Sequence, residues 1–213
     1  MRDTTKVTRI SRTEQTPDHR RLFEVASEQG GYFTAEQASN CGYSRALLSH
    51  HVKSSGTFIR VRRGLYRFRQ YPSYSREDVL AAWMAIGKDS SIVSHESALD
   101  ILGLSDIIPD AVHLTVPRSR RNLPSLPGIK IHTTTKPLQK EDTVTRDGII
   151  LTSAQRSIHD AAEAGTAPEQ IEMAVTQAID RGLVRLQSLQ EEADKRGRGV
   201  SKLITDSLRK VKQ

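Results

Sequence analysis

Five arginines fall within ten residues of the stretch TFIRVRRGLYRFRQ: Arg60, Arg62, Arg63, Arg67 and Arg69. A guanidinium is always charged and presents a rigid fork of donors that fits phosphate oxygens two at a time. The stretch alternates with a period of two rather than 3.6, which predicts a hairpin with its tip at Arg63-Gly64. On this reading Ile59, Val61, Tyr66 and Phe68 share an apolar face, and Arg60, Arg62, Arg67 and Arg69 share a basic one. Arginines facing one another across strands repel, and a bound polyanion relieves the repulsion. Directly upstream, RALLSHHVKS has helical spacing. Leu47, Leu48 and Val52 make its inner stripe together with His51, and Arg45, Ser49 and Lys53 follow at i, i+4 and i+8 on the other side, flanked by His50 and Ala46. In a major groove, Arg45 could pair with a guanine edge, a contact worth about 1–3 kcal/mol of discrimination. Ser49 and His50 suit base edges or phosphates, and Lys53 suits a phosphate.

The distribution of charge agrees. The chain of 213 residues carries a formal net charge of +7. Residues 1–71 hold 13 Lys and Arg against 6 Asp and Glu, and residues 72–213 hold 19 of each, so the whole excess sits in the first third. That segregation points to a polyanion, with nucleic acid first and an anionic membrane surface second.

Several elements are needed to position these side chains. Residues 1–16 are polar, with basic Arg2, Lys6, Arg9 and Arg12, and read as a flexible arm. A first helix is expected from Pro17-Asp18 through RRLFEVASEQ, stopped by Gly30-Gly31. Thr34 with Gln37 forms a capping box for AEQAS, Asn40-Cys41-Gly42-Tyr43 is a turn, and Ser44 caps the helix that carries Arg45. Two short helices joined by a glycine-bearing turn and followed by a hairpin make a winged helix-turn-helix over residues 17–71. Tyr71-Pro72-Ser73 closes it. Residues 72–213 read as a mixed α/β domain ending in helices. SREDVLAAWMAIG is a capped helix, SIVS a strand and HESALDILGL a helix; AVHLTVP, IKIHTTT and DGIILTS are strands. Helices then begin at Ser153, at Pro168 and in the two final segments. The expected class is α+β. With aromatics at 5%, the interior is expected to be mostly Leu, Ile, Val and Ala.

Other residues that could do chemistry carry less. His95, His113 and His132 could hold zinc or relay a proton, which would make a hydrolase, but no HExxH, CxxC or H-x-H spacing supports them, and no metal or cofactor is expected. His95-Glu96 reads as a helix start capped by Ser94. Ser153 lacks the G-x-S-x-G turn of a hydrolase nucleophile and is a cap. Arg118, Arg120 and Arg121 follow a strand ending in Pro117 and are candidates for a secondary contact with DNA or a partner. The single Cys41 cannot form an internal disulfide, no apolar run is long enough to span a bilayer, and the start lacks a secretory signal, so a cytoplasmic setting is expected.

The stretch GGYFTAEQASNCGYSRALLSHHVKSSGTFIRVRRGLYRF resembles the N-terminal winged helix of AbiEi-type antitoxins, the repressor half of a bacterial abortive-infection toxin–antitoxin system. The resemblance continues in IVSHESALDILGL, in AVHLTVP with its following arginines, and in DGIILTSAQRSIHDAA, across about residues 20–180. It implies a non-enzymatic, DNA-binding autorepressor that recognises inverted repeats beside its own promoter. It also implies an antitoxin that counters a nucleotidyltransferase-like toxin without a stable complex. DNA contact would then lie at Arg45, Ser49, His50, Lys53 and the hairpin arginines. The alternative from the residues alone is a non-catalytic adaptor whose winged helix binds an acidic protein.

Overall fold

The structure is a computed structural model and describes residues 16–211. All but the last residue of the expected basic arm, residues 1–16, thus lies outside the described residues. The chain divides into two compact units, Met1–Ser75 and Arg76–Gln213, and each is α+β.

The first unit runs α1 (His19–Ser27), β1 (Tyr32–Thr34), α2 (Ala35–Asn40), α3 (Arg45–Lys53), β2 (Phe58–Arg62) and β3 (Leu65–Phe68). Helix starts follow the side-chain caps: Asp18 accepts from the Arg21 amide, and Ser44 from the Leu47 amide. Thr34 and Gln37 form the expected reciprocal capping box. The strands form one antiparallel sheet in the order β1-β3-β2. β1 has three residues, too few for periodicity to reveal, and it supplies the third strand of the winged-helix order.

The core of this unit is aromatic, contrary to the aliphatic interior expected from overall composition. All four phenylalanines and all five tyrosines of the chain lie between residues 23 and 74. Phe33, Phe58 and Phe68 meet at ring-centroid distances of 4.9–5.4 Å, with His19 stacked on Phe58. The unit also extends beyond Tyr71, to Ser75. Tyr71 donates its hydroxyl to the Ser27 carbonyl, and the rings of Tyr71 and Tyr74 lie over Gly31 and Gly30. Gly31 has φ 84°, and a Cβ there would stand 2.4 Å from Tyr71 Cγ. Gly31→Ala should therefore lower the stability of the first unit by about 2 kcal/mol or more, from a left-handed backbone and a forced ring displacement. Calorimetric unfolding checks this, and an unchanged first-unit transition would contradict it.

The second unit runs α4 (Glu77–Ile86), β4 (Ile92–Val93), α5 (His95–Leu102), β5 (Val112–Pro117), β6 (Ile129–Thr134), β7 (Thr143–Arg146), β8 (Ile149–Thr152), α6 (Ala154–Glu163), α7 (Pro168–Asp180), α8 (Leu186–Lys195) and α9 (Arg198–Val211). Its sheet has the order β6-β5-β4-β8-β7. The pairs β4–β8 and β5–β6 are parallel, and β4–β5 and β7–β8 antiparallel. The later helices bury an aliphatic core that includes Leu99, Ile158, Ile171, Val175, Leu189 and Ile204. Ser153 caps α6 through the Arg156 amide, and Pro168 stands in the first turn of α7.

Two expected caps are not made. Arg76 stands at the N-cap of α4 and gives no side-chain cap; the first turn carries Glu77 and Asp78 instead, which suit the helix dipole. Ser94 sits at the N-cap of α5 but makes no capping bond. Its hydroxyl is occupied by His95 Nδ1 and the Thr115 hydroxyl, both at 2.8 Å. β7 has no counterpart among the expected strands. Its TVTR sequence is exposed or half-buried throughout and leaves no apolar trace.

Candidate nucleic-acid interface

α3 rests on the first unit through Leu48, which is 2% exposed, with Leu47, His51 and Val52 half-buried beside it. The His51 ring lies 4.9 Å from Phe58. Burial pushes the His51 imidazole below its ordinary value, and neighbouring His50 and His19 push the same way. Arg45, Ala46, Ser49, His50 and Lys53 are exposed. One side of the helix is thus fixed by packing, while the other offers a guanidinium, a hydroxyl, an imidazole and an ammonium to solvent. This is the division a recognition helix needs.

At the hairpin, Arg63 is exposed and Gly64 takes φ 80°, a left-handed conformation that a tight turn requires. Arg60 and Arg69 are exposed and Arg62 is half-buried. Arg69 Nε donates to the Gly56 carbonyl, which ties the end of the hairpin to the residues that follow α3.

The register overturns the expected shared basic face. Arg60 pairs with Tyr66, and Ile59 with Arg67; residues opposite one another across a ladder share a face. Arg60 and Arg67 are therefore on opposite faces. The aromatic cluster sets this arrangement: Phe58 and Phe68 pair and point into the core, and a bulge between Arg60 and Arg62 shifts the register near the tip. Arg67 is 7% exposed. Its Nη2 donates to the Tyr71 and Pro72 carbonyls, both at 2.9 Å, and its guanidinium lies 5.5 Å from the Tyr32 ring centre. Arg67 is a structural cation that fastens the end of the unit to its sheet, and it is withdrawn as a DNA contact.

A similar correction applies to the second basic group. Arg118 and Arg121 are exposed. Arg120 instead donates to the Ser90 hydroxyl and to the Ile86 carbonyl at 3.0 Å, so it neutralises the C-terminal end of α4.

In the second unit the sheet gathers the three histidines. His113 and His132 lie on one face of the adjacent parallel strands β5 and β6, where Thr115 pairs with His132, and the start of α5 lays His95 over them. The His95 and His132 rings stack at 3.5 Å, and His113 stands 5.0 Å from His132. Burial pushes His95 down to about 2 and His132 down to about 4, with the neighbouring imidazoles adding to both shifts. Lone pairs lie in the ring plane, so two stacked rings point theirs along parallel lines and not at a common ion. Among the described residues, the group compatible with one cation is a different one, Glu96, Asp110 and His113. Neither carboxylate is among the ligand candidates that the sequence offers. The available signals were the positions of Glu96 beside His95 and of Asp110 three residues before His113.

Among the described residues, no helix is long and apolar enough to cross a membrane. A comparison with curated proteins finds no match. Among solved structures, the chain is similar to the RV2827C protein from Mycobacterium tuberculosis. The TM-score is 0.62 at 14% identity, over 89% of this chain and 75% of that one, which is a likeness of fold. Residues 20–69 match the family model described as transcriptional regulator, AbiEi antitoxin. That span covers β1–β3, α2, α3 and nearly all of α1, so the similarity to this regulator family lies in the N-terminal unit.

Proposed function

We propose that the chain is a transcriptional repressor that acts as the antitoxin of a toxin–antitoxin pair, with duplex DNA docked on α3 and the hairpin. The observation that carries this reading is the exposed set Arg45, Ser49, His50 and Lys53 on a helix anchored by Leu48, within the segment that matches a regulator family. In this reading α3 enters the major groove. Arg45 faces a base edge, and Ser49 and His50 face base edges or phosphates. Lys53, Arg60, Arg62, Arg63 and Arg69 hold phosphates. The operator is an inverted repeat beside the chain's own promoter. The second unit carries the antitoxin role against a nucleotidyltransferase-like toxin, with Arg118 and Arg121 available for a further contact.

Equilibrium binding of the full chain tests the DNA half. At 0.15 M salt it should prefer the duplex upstream of its own coding frame over a scrambled duplex by about a thousandfold or more. Equal affinity, or no binding, would overturn the repressor reading and favour a protein-contact role for the winged helix. Arg45→Ala should reduce discrimination at one base pair about 5- to 150-fold while leaving affinity for random duplex nearly unchanged. A uniform loss on all sequences would instead make Arg45 a phosphate contact. The antitoxin half is tested by co-expression with a nucleotidyltransferase-like toxin encoded beside it. Growth should be restored, and persistent arrest would contradict the pairing.

A further inference from the structure

We propose that Glu96, Asp110 and His113 in the second unit bind one divalent transition-metal cation of the zinc class. The three residues come from the first turn of α5, the turn before β5, and β5 itself. Their ligand atoms lie within 4.8 Å of one another. A tetrahedral zinc with bonds of about 2.0–2.2 Å places its ligands about 3.3 Å apart, so small side-chain rotations of Asp110 and Glu96 close the set. Glu96 Oε2 already stands 3.8 Å from His113 Nε2.

The observation that calls for a ligand is His113. It is 1% exposed, yet neither ring nitrogen has a hydrogen-bond partner. An imidazole buried without a partner is costly, and bound metal is one of the few ways to satisfy it. Two carboxylates supply the charge to offset a dication, and a mixed imidazole–carboxylate set suits zinc, manganese or cobalt better than magnesium or calcium.

The surroundings already hold the ligands. The Thr166 hydroxyl donates to Glu96 Oε1 at 2.7 Å, which leaves Oε2 for the ion. The Ser97 hydroxyl accepts from the His113 amide at 2.9 Å and donates to the Ala111 carbonyl at 3.4 Å, fixing the backbone on either side of residue 112. Such outer contacts orient ligands in metal sites. Asp110 is exposed, so an ion has a way in from solvent.

This inference stands apart from the DNA-binding reading. Its test uses the full chain stripped with a chelator and titrated with Zn2+ by calorimetry, and with Co2+ by visible absorption. One equivalent should bind, and the Co2+ complex should show d–d bands of a low-coordinate nitrogen–oxygen site. Asp110→Asn and Glu96→Gln should each weaken Zn2+ binding about tenfold or more. Asp110 lies at the surface, so its variant should keep the Trp83 emission of the folded unit. Absence of stoichiometric binding would overturn the proposal and leave His113 to an ordered water. Wild-type affinity in both variants would overturn it equally, by placing the ion elsewhere.

Discussion

Raising the salt from 50 to 200 mM should weaken binding of the full chain to its target duplex about 500-fold. Five cations of α3 and the hairpin, Lys53, Arg60, Arg62, Arg63 and Arg69, each displace a condensed counterion when they meet a phosphate. At about −0.9 per contact, the slope of log affinity against log salt is about −4.5. Replacing Arg60 and Arg63 together by Ala should make the slope shallower by about two units. Arg67 provides an internal control. Its guanidinium is committed to the Tyr71 and Pro72 carbonyls, so Arg67→Ala should lower the melting temperature of the first unit and leave the slope of the remaining folded protein unchanged. A slope near zero in the wild type, or an Arg67 variant that flattens the slope at unchanged stability, would contradict the assignment of charges to phosphates.

The second large effect is one of stability. Asp160, 5% exposed on α6, accepts from Arg156 Nε at 2.8 and 2.9 Å and from Arg196 Nη1 at 2.6 Å. Arg196 also reaches Glu163 at 3.0 Å. Burial works against the Arg196 charge, but Asp160, Glu163 and Glu192 outweigh it and raise its pKa above the ordinary value. This network ties α6 to the turn between α8 and α9. Removing one partner of a buried ion pair strands the other charges, and the cost is about 3–5 kcal/mol. Asp160→Ala should therefore lower the melting temperature of the second unit by about 10 °C. The single tryptophan, Trp83, is 1% exposed within that unit, so its emission during urea unfolding reads the unit directly. A loss below about 1 kcal/mol would show that Glu163 and Glu192 can carry the arginines unaided.

The two units differ in how much of them could be read from the chain. The helices of the first unit announce themselves because their ends are local chemistry. Ser44, and Thr34 with Gln37, sit next to the amides that they satisfy. The recognition-helix face follows in turn from counting 3.6 residues from Leu48. The hairpin's existence was legible from Arg63-Gly64, but its register was not. Alternation alone allows either face to be inner, and the choice was made by packing against Phe33, far from the hairpin tip in sequence. The crowding of aromatics into residues 23–74 was a signal for that core, and it was averaged away in the overall composition. In the second unit, Ser153 and Pro168 mark helices by the same local rules. Ser94 does not cap because Thr115, 21 residues on, takes its hydroxyl. The gathering of His95, His113 and His132 depends on pairing β5 with β6, a long-range choice that no spacing motif encodes. Glu96 and Asp110 join His113 for the same reason.

The central claim is that a duplex docks on α3 and the hairpin. It is tested most directly by assigning the backbone amide resonances of the full chain and titrating in the duplex from upstream of its own coding frame. The largest shifts should fall at residues 45–53 and 60–64, with His51 and Leu48, on the buried side of α3, moving less than Arg45 and Ser49. Shifts confined to residues 76–211, or none at saturating duplex, would contradict it.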